Sequence, residues 1–184
     1  MKIISNFYDG KFIKSESTDK LSLFKPTTGE EYAHIPITTD KEFQSIIDKM
    51  KIAQASWVNT PITKRSSILF KFKNLIEKNF DDIARIISEE HGKVFSDAKG
   101  SLQRGLEVVD FACGIPHLLK GNHSINVGTN VDSFDIKQPL GLCAGITPFN
   151  FPAMVPMWMF PISIACGNAF MLKPSEKVPQ CSLK

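Results

Sequence analysis

From Leu140 to Leu172 the chain carries no charged side chain, and no other feature limits its fold as much. The run is long enough to cross a bilayer. Yet Pro148, Pro152, Pro156 and Pro161 lie inside it, and each lacks a backbone donor. Gly141, Gly145, Gly167 and Asn168 interrupt it further. In hydrocarbon such breaks stand only where protein or a cavity covers the freed backbone. No basic cluster flanks the run to set an orientation. It therefore reads as protein-buried, with no membrane partner.

The rest of the composition narrows the class. The chain has 184 residues, enough for one sizeable domain, with 42% apolar and 22% charged side chains, so disorder is not expected. Net charge is +3, and across Lys64–Lys99 the Lys and Arg residues are interleaved with acids. A nucleic-acid partner would need a basic stripe, which is missing. Cys113, Cys143, Cys166 and Cys181 are scattered, with neither a C-x-x-C pair nor a His at ligand spacing. No metal site or disulfide framework is expected, and a reducing compartment is. The opening "MKIISNFYDGKF" turns polar within five residues, so no secretory leader is expected and the location predicted is cytoplasmic.

Along the chain, short alternating pieces come first. Asp9-Gly10 within "NFYDGKFI" signals a two-residue hairpin, and Thr28-Gly29 turns a second within "LSLFKPTTGEEYAHIP". After Pro36 the period becomes helical. Thr39 and Glu42 form a capping box ahead of an apolar face of Phe43, Ile46, Ile47, Met50, Ala53 and Trp57. Thr60-Pro61 opens the next helix with Pro at its first position and a stripe of Ile68, Leu69, Phe72, Leu75 and Ile76. "DDIARIISEEHG" is a third, closed by Gly92, and a longer helix runs from about Ser96 towards Ile115-Pro116.

"HSINV" and "VDSFDI" then make a polar ribbon, either an exposed hairpin or a strand pair that docks on a partner subunit. Finally "LGLCAGITP" and "NAFMLKP" read as short buried strands on either side of the apolar "PAMVPMWMFPISIACG" helix. Strand, crossover helix and strand form a βαβ unit, the opening of a parallel sheet. One such unit cannot stand alone. Ser175 and Glu176 read as the start of another helix, so the chain is expected to be the N-terminal piece of a larger protein.

Three places offer chemistry. Asn150 lies in the "TPFNFP" turn at the carboxyl end of a strand, where ligands bind in α/β sheets. A rigidly held side-chain amide there can donate to an oxygen that becomes negative. It could equally cap the following helix, and position alone favours the cap. Lys173, ending the second strand, and Glu176, three residues on, could grip the vicinal hydroxyls of a ribose without a G-x-G-x-x-G loop, which the chain lacks. On spacing alone the commoner reading is a solvated Lys and a Glu favoured by a helix dipole. Arg104, on the long helix beside Gly105, has a guanidinium suited to bidentate capture of a carboxylate, although most helical arginines are merely solvated. The four cysteines lack the electropositive, partly exposed setting of a reactive thiolate and read as structural.

Taken together, "GITPFNFP", the apolar helix and "GNAFMLKPSE" resemble the aldehyde dehydrogenase superfamily. The pattern there is a Pro-aromatic-Asn-aromatic-Pro turn, a helix, then Gly-Asn-strand-Lys-Pro-Ser-Glu. The resemblance covers essentially the whole chain, as the first third or so of the family's length. Within the superfamily, "RGLEVVDFACGIPHLLKG" and "PFNFPAMVPMWMFPISIACGN" are most similar to the CoA-acylating methylmalonate-semialdehyde dehydrogenases.

The fold implied is α/β: the N-terminal part of the aldehyde dehydrogenase fold, a Rossmann-like NAD-binding domain with preceding helices and β ribbons. Residues 1–121 would be its N-terminal hairpins and helices, 122–137 an oligomerisation ribbon, and 138–184 the first βαβ unit of the sheet. The catalytic domain would lie outside the chain.

The resemblance also implies roles. Asn150 would be the oxyanion donor and Arg104 the holder of the substrate's carboxylate. Thr147 and Phe149 would line the nicotinamide side, and Lys173 and Glu176 would hold the adenosine ribose, with Lys177 adjacent. The implied reaction is NAD-dependent oxidation of malonate or methylmalonate semialdehyde, loss of carbon dioxide, and transfer of the acyl group to coenzyme A. A homo-oligomer is implied for the full-length protein. This chain alone, without the catalytic Cys, is expected to be inactive. A hydrolytic aldehyde dehydrogenase, for instance one acting on succinate semialdehyde, and a non-catalytic assembly module remain as alternatives.

Overall fold

The structure is a computed structural model and describes residues 2–184. Strand β1 (Lys2–Ile3) precedes a hairpin of β2 (Asn6–Tyr8) and β3 (Lys11–Ile13). Its turn places Asp9 at φ 53° and Gly10 at φ 73°, the left-handed pair that a two-residue hairpin requires. The second hairpin, β4 (Lys20–Phe24) and β5 (Glu31–Pro36), closes where the Lys25 carbonyl accepts from the Thr28 and Gly29 amides. β1 adds to β5 in parallel, giving the order β1-β5-β4. Ile4, Leu23 and Ala33 make the small core of this sheet.

Helix α1 (Asp40–Trp57) carries the expected capping box, and its glutamate does more than cap. Glu42 Oε2 accepts from the Thr39 amide at 2.8 Å, the Thr39 hydroxyl at 3.0 Å and the Ser15 hydroxyl at 2.9 Å. Glu42 Oε1 takes the Glu16 amide at 2.9 Å, so one carboxylate ties the loop after the first hairpin to the helix start. Backbone donation from Thr39 leads the causes that hold its pKa at about 2.

α2 (Ile62–Lys78), α3 (Phe80–His91), α4 (Phe95–Cys113) and a single turn, α5 (Ile115–Leu118), follow. Gly92 at φ 82° ends α3. The main core runs along α4, where Ala98, Leu102, Leu106 and Val109 meet Ile76, Ala84 and Ile87. Two stripes are narrower than their periodicity suggests. Phe43 and Ala53 on α1, and Ile68 and Leu75 on α2, are exposed, while Arg65 and Ser66 are buried instead. Pro61 precedes α2 as its cap at ψ 139° rather than occupying its first turn.

The ribbon β6 (His123–Gly128) and β7 (Val131–Phe134) is exposed along its length. Asn126, at φ 55°, breaks the pairing between Ser124 and Gly128. β8 (Leu142–Ile146), α6 (Met154–Ala165) and β9 (Ala169–Lys173) form the βαβ unit, in parallel register from Leu142↔Ala169 to Ile146↔Lys173. These strands are not buried as their apolar sequence suggests. Ile146 is 77% exposed, and every β9 residue is at best half-buried. A two-stranded sheet has too few neighbours to cover them. Nor does Ser175-Glu176 open a helix. The Ser175 hydroxyl accepts from the Lys177 amide in a local turn between Pro174 and Pro179, and a 3-10 turn (Gln180–Leu183) follows. Among the described residues no helix is long and apolar enough to cross a membrane.

α6 is apolar except for Ser163, whose buried hydroxyl has no partner among the described residues. Its last carbonyls are therefore satisfied from outside. Trp57 Nε1 donates to the Ile164 carbonyl at 2.8 Å and Arg65 Nη1 to the Ala165 carbonyl at 2.8 Å. The Asn168 amide and side chain both donate to Ser163, and Asn168 Oδ1 accepts from the Gly141 amide at 2.8 Å, tying the helix end to the entry of β8. The guanidinium also lies at the negative end of the helix dipole. Gly167, at φ 98°, makes room for it, since a Cβ there would lie 2.6 Å from Arg65 Nη1.

At the other end of the fold Glu90 is buried. It accepts from the Tyr32 hydroxyl at 3.1 Å and from the Gln180 and Cys181 amides at 3.0 and 3.1 Å. Burial raises its pKa above the usual carboxylate range despite these donors.

Replacing Arg65 with Met keeps the stem but removes a charged donor from a buried carbonyl. About 1.5–3 kcal/mol of stability should be lost, read by chemical denaturation. A change too small to resolve would mean that water reaches Ala165. Glu42 is depressed from 4.5 to about 2, so its contribution is present above pH 4.5 and lost as pH falls towards 2. Glu42→Gln should therefore flatten the stability profile over that window and cost more at pH 7 than at pH 2.

Candidate functional site

The carboxyl ends of β8 and β9 meet where the Thr147 amide donates to the Lys173 carbonyl at 3.1 Å. Thr147 is buried, and from there the chain bends through Pro148 to Ala153 without regular structure. α6 begins only at Met154, with Ala153 at its cap position. Asn150 is therefore not the helix cap. Its side chain is exposed and makes no hydrogen bond among the described residues, so its amide is free to donate outward.

Two residues from the end of α3 pack against this turn. The His91 ring stacks on Phe149 with centroids 6.4 Å apart and 24° between planes. Burial, and secondarily Lys93, lowers the His91 pKa, which favours the neutral imidazole. Lys93 Nζ donates to the Asn150 carbonyl at 2.8 Å and lies 4.4 Å from the centroid of the Phe151 ring. Burial pulls the Lys93 pKa down. The sequence reading missed both residues. Lys93 is 57 positions from Asn150, and no local pattern links a post-helix lysine to a distant aromatic turn.

On the neighbouring strand end, Lys173 Nζ and Glu176 Oε2 are 2.9 Å apart, with both side chains about half exposed. The bond to Lys173 lowers the Glu176 pKa. Lys177 Nζ lies 4.7 Å from the Phe149 ring centroid, so the Lys173–Glu176–Lys177 segment and the Phe149–Asn150 turn form one continuous surface. A solvent-facing donor and acceptor at a strand's carboxyl end suit the vicinal hydroxyls of a ribose, which can replace the ion pair between them. The residues thus fit the sugar end of a dinucleotide. They offer no glycine-loop cradle for its pyrophosphate.

Arg104 is not joined to this surface by any hydrogen bond or ion pair among the described residues, and its side chain is exposed. Its neighbour Gly105 is where α4 touches α6. A Cβ there would run into Met157 Cε and lie 3.1 Å from Met154 Cα. Arg104 consequently sits beside the first turns of the helix that follows Asn150. Burial raises the pKa of Cys113 and Cys166 and lifts that of Cys181 to about 12. Cys143 lies within β8, short of its carboxyl end. No cluster of three or more metal-ligating side chains occurs among the described residues.

Residues 12–184 match the sequence profile of the aldehyde dehydrogenase family. Malonate-semialdehyde dehydrogenase of Pseudomonas aeruginosa is 46% identical over 183 residues, covering 100% of this chain and 37% of that protein. The mitochondrial acylating methylmalonate-semialdehyde dehydrogenase of Arabidopsis thaliana is 46% identical over 98% of this chain and 30% of its own length. Among solved structures, one from Sinorhizobium meliloti 1021, provisionally named a methylmalonate-semialdehyde dehydrogenase and complexed with NAD, superposes with a TM-score of 0.96 at 43% identity. It is matched over 100% of this chain and 37% of its own. The chain therefore spans about a third of the length of the relatives it matches.

Proposed function

Because the chain belongs to the aldehyde dehydrogenase family, we propose that the whole protein oxidises a malonate-type semialdehyde with NAD, releases carbon dioxide and transfers the resulting acyl group to coenzyme A. The observation that carries this reading is the Asn150 amide, exposed and without an internal partner at the carboxyl end of β8, one strand from the Lys173–Glu176 pair.

When a thiolate adds to an aldehyde, the carbonyl oxygen becomes an anion. A donor already aimed at that oxygen favours the transition state over the ground state. Asn150 Nδ2 is assigned that donation. NAD, when bound, supplies the hydride acceptor. Thr147 and Phe149 would flank its nicotinamide, and Lys173 and Glu176 would hold its ribose with Lys177 beside them. The exposed Arg104 guanidinium would take the substrate's carboxylate. With three of the four thiols pushed up by burial, the nucleophile is assigned to residues outside this chain, and the chain alone is expected to turn over no aldehyde.

The relatives support both halves of the reading. One is named as acylating and another is complexed with NAD. Self-association through the ribbon is part of the proposal, because Ile125, Val127, Val131, Phe134 and Ile136 are all more than half exposed. Free, scattered cysteines fit a reducing compartment such as the cytoplasm.

In the whole protein, malonate or methylmalonate semialdehyde should yield NADH and an acyl-CoA. Asn150→Ala should lower kcat about 10²–10³-fold, the usual size of a lost oxyanion donor. Turnover indifferent to coenzyme A would reject the acylating reading in favour of hydrolysis. Arg104→Leu should raise KM for carboxylated semialdehydes at least tenfold while leaving uncarboxylated ones nearly unchanged, about 1.4 kcal/mol of selective binding. An equal rise for both would remove Arg104 from the carboxylate site.

A further inference from the structure

Asn150 has no side-chain hydrogen bond among the described residues, so its backbone must do the aiming. Two backbone bonds bracket the turn: Thr147 amide to Lys173 carbonyl before it, and Val155 amide to Phe151 carbonyl after it. Pro148 and Pro152 fix their own φ angles, and Pro152 holds Phe151 away from the helical region. The residues whose torsions the prolines restrict least are Phe149 and Asn150. Both are gripped from the end of α3, Phe149 by the His91 ring and Asn150 by the Lys93 ammonium on its carbonyl.

Lys93 is itself well anchored. Gly92 turns the chain at φ 82° against Pro26, whose Cγ would lie 3.1 Å from a Cβ at that position. The Ser88 hydroxyl donates to the Lys93 carbonyl at 2.6 Å. The ammonium then makes two contacts at once, a charge-assisted bond to the Asn150 carbonyl and a cation–π contact with the ring of the next residue. A donor on one carbonyl oxygen and a charge over the adjacent ring together fix the Asn150–Phe151 peptide plane.

We infer that Lys93 is the positioning residue of this site: by pinning the Asn150 carbonyl it sets the direction in which the Asn150 side-chain amide points. The inference rests on the oxyanion role proposed above for its catalytic consequence, and on the geometry alone for the pinning. The Lys93 ammonium is engaged by the Asn150 carbonyl and the Phe151 ring. It acts through Asn150.

The test compares Lys93→Met, which keeps the stem and loses the donor, with Lys93→Arg, which keeps a cationic donor able to lie over Phe151. The first readout needs no activity. In ¹⁵N-labelled protein the Asn150 side-chain NH₂ pair is assigned by its loss in Asn150→Asp. That pair should shift or broaden in Lys93→Met and stay close to its original position in Lys93→Arg, while the amides of Ser66 and Leu69 in α2 do not move. The second readout is kinetic, in the whole protein. Lys93→Met should lower kcat about 10–100-fold with KM within about twofold, the scale of an ångström's misplacement, and Lys93→Arg should recover most of the loss.

An unmoved Asn150 pair in Lys93→Met overturns the inference whatever the rates. So does a rise in KM at constant kcat, which would make Lys93 a binding group. A moved pair in a protein whose unmodified form yields no NADH from any semialdehyde overturns the proposed activity and leaves the pinning in place. If Lys93→Met does not fold, Lys93→Ala, which also lacks the donor and exposes less apolar surface, carries the same comparison.

Discussion

An α-helix cannot satisfy its own last carbonyls, and α6 has no useful polar side chain with which to begin. In water that would be harmless, but α6 packs between α4 and α2, and its end is closed off from solvent. The arrangement of the first half of the chain follows from this. α1 must bring Trp57 to Ile164, α2 must bring Arg65 to Ala165, and Asn168 must fold back to serve both Ser163 and the entry of β8. A helix end with three external donors is fixed in direction as well as in place. Because β8 and β9 pair with each other and both begin beside that helix end, the start of the sheet is fixed with it.

The surface at the carboxyl ends of the strands is built in the opposite manner. Its chemical groups face outward and hold one another only loosely. Lys173 and Glu176 pair across solvent, where an exposed ion pair stabilises little and is easily exchanged for a ligand's hydroxyls. Only the backbone beneath Asn150 is held firmly, through contacts reaching over from α3. The division is physically sensible: groups that must meet a ligand stay unsatisfied, while the peptide that carries them is constrained by residues with no other task nearby.

Much of this was legible in the sequence wherever the determinant was local. The Asp9-Gly10 hairpin, the Thr39–Glu42 capping box, the Gly92 stop and the order strand, apolar helix, strand each rest on neighbours within a few positions, and all four are present. What the sequence could not convey depends on distant partners. A hydrophobic stripe says which face can be buried but not how much covering it will find. Phe43 and Leu75 therefore remain exposed although their periodicity is right, and in the strands beside α6 Leu142 and Ile146 stay exposed. Nothing near Arg65 in the sequence signals that it reaches a carbonyl 100 positions away. At the site, Asn150 and the Lys173–Glu176 pair were visible as a motif, whereas His91 and Lys93 became visible only once α3 was folded beside the turn.

Glu90 has a consequence for the order of events during folding. Its three donors come from β5 and from the Gln180–Cys181 turn, while Lys2 Nζ reaches the Gln180 side chain at 2.7 Å, across 178 residues of sequence. Closing so long a loop is entropically costly and becomes worthwhile only after the intervening helices have assembled. The carboxylate would then wait, solvated and ionisable, until both strangers to its helix arrive. Its bonds to the Gln180 and Cys181 amides thus hold the last turn of the chain against α3.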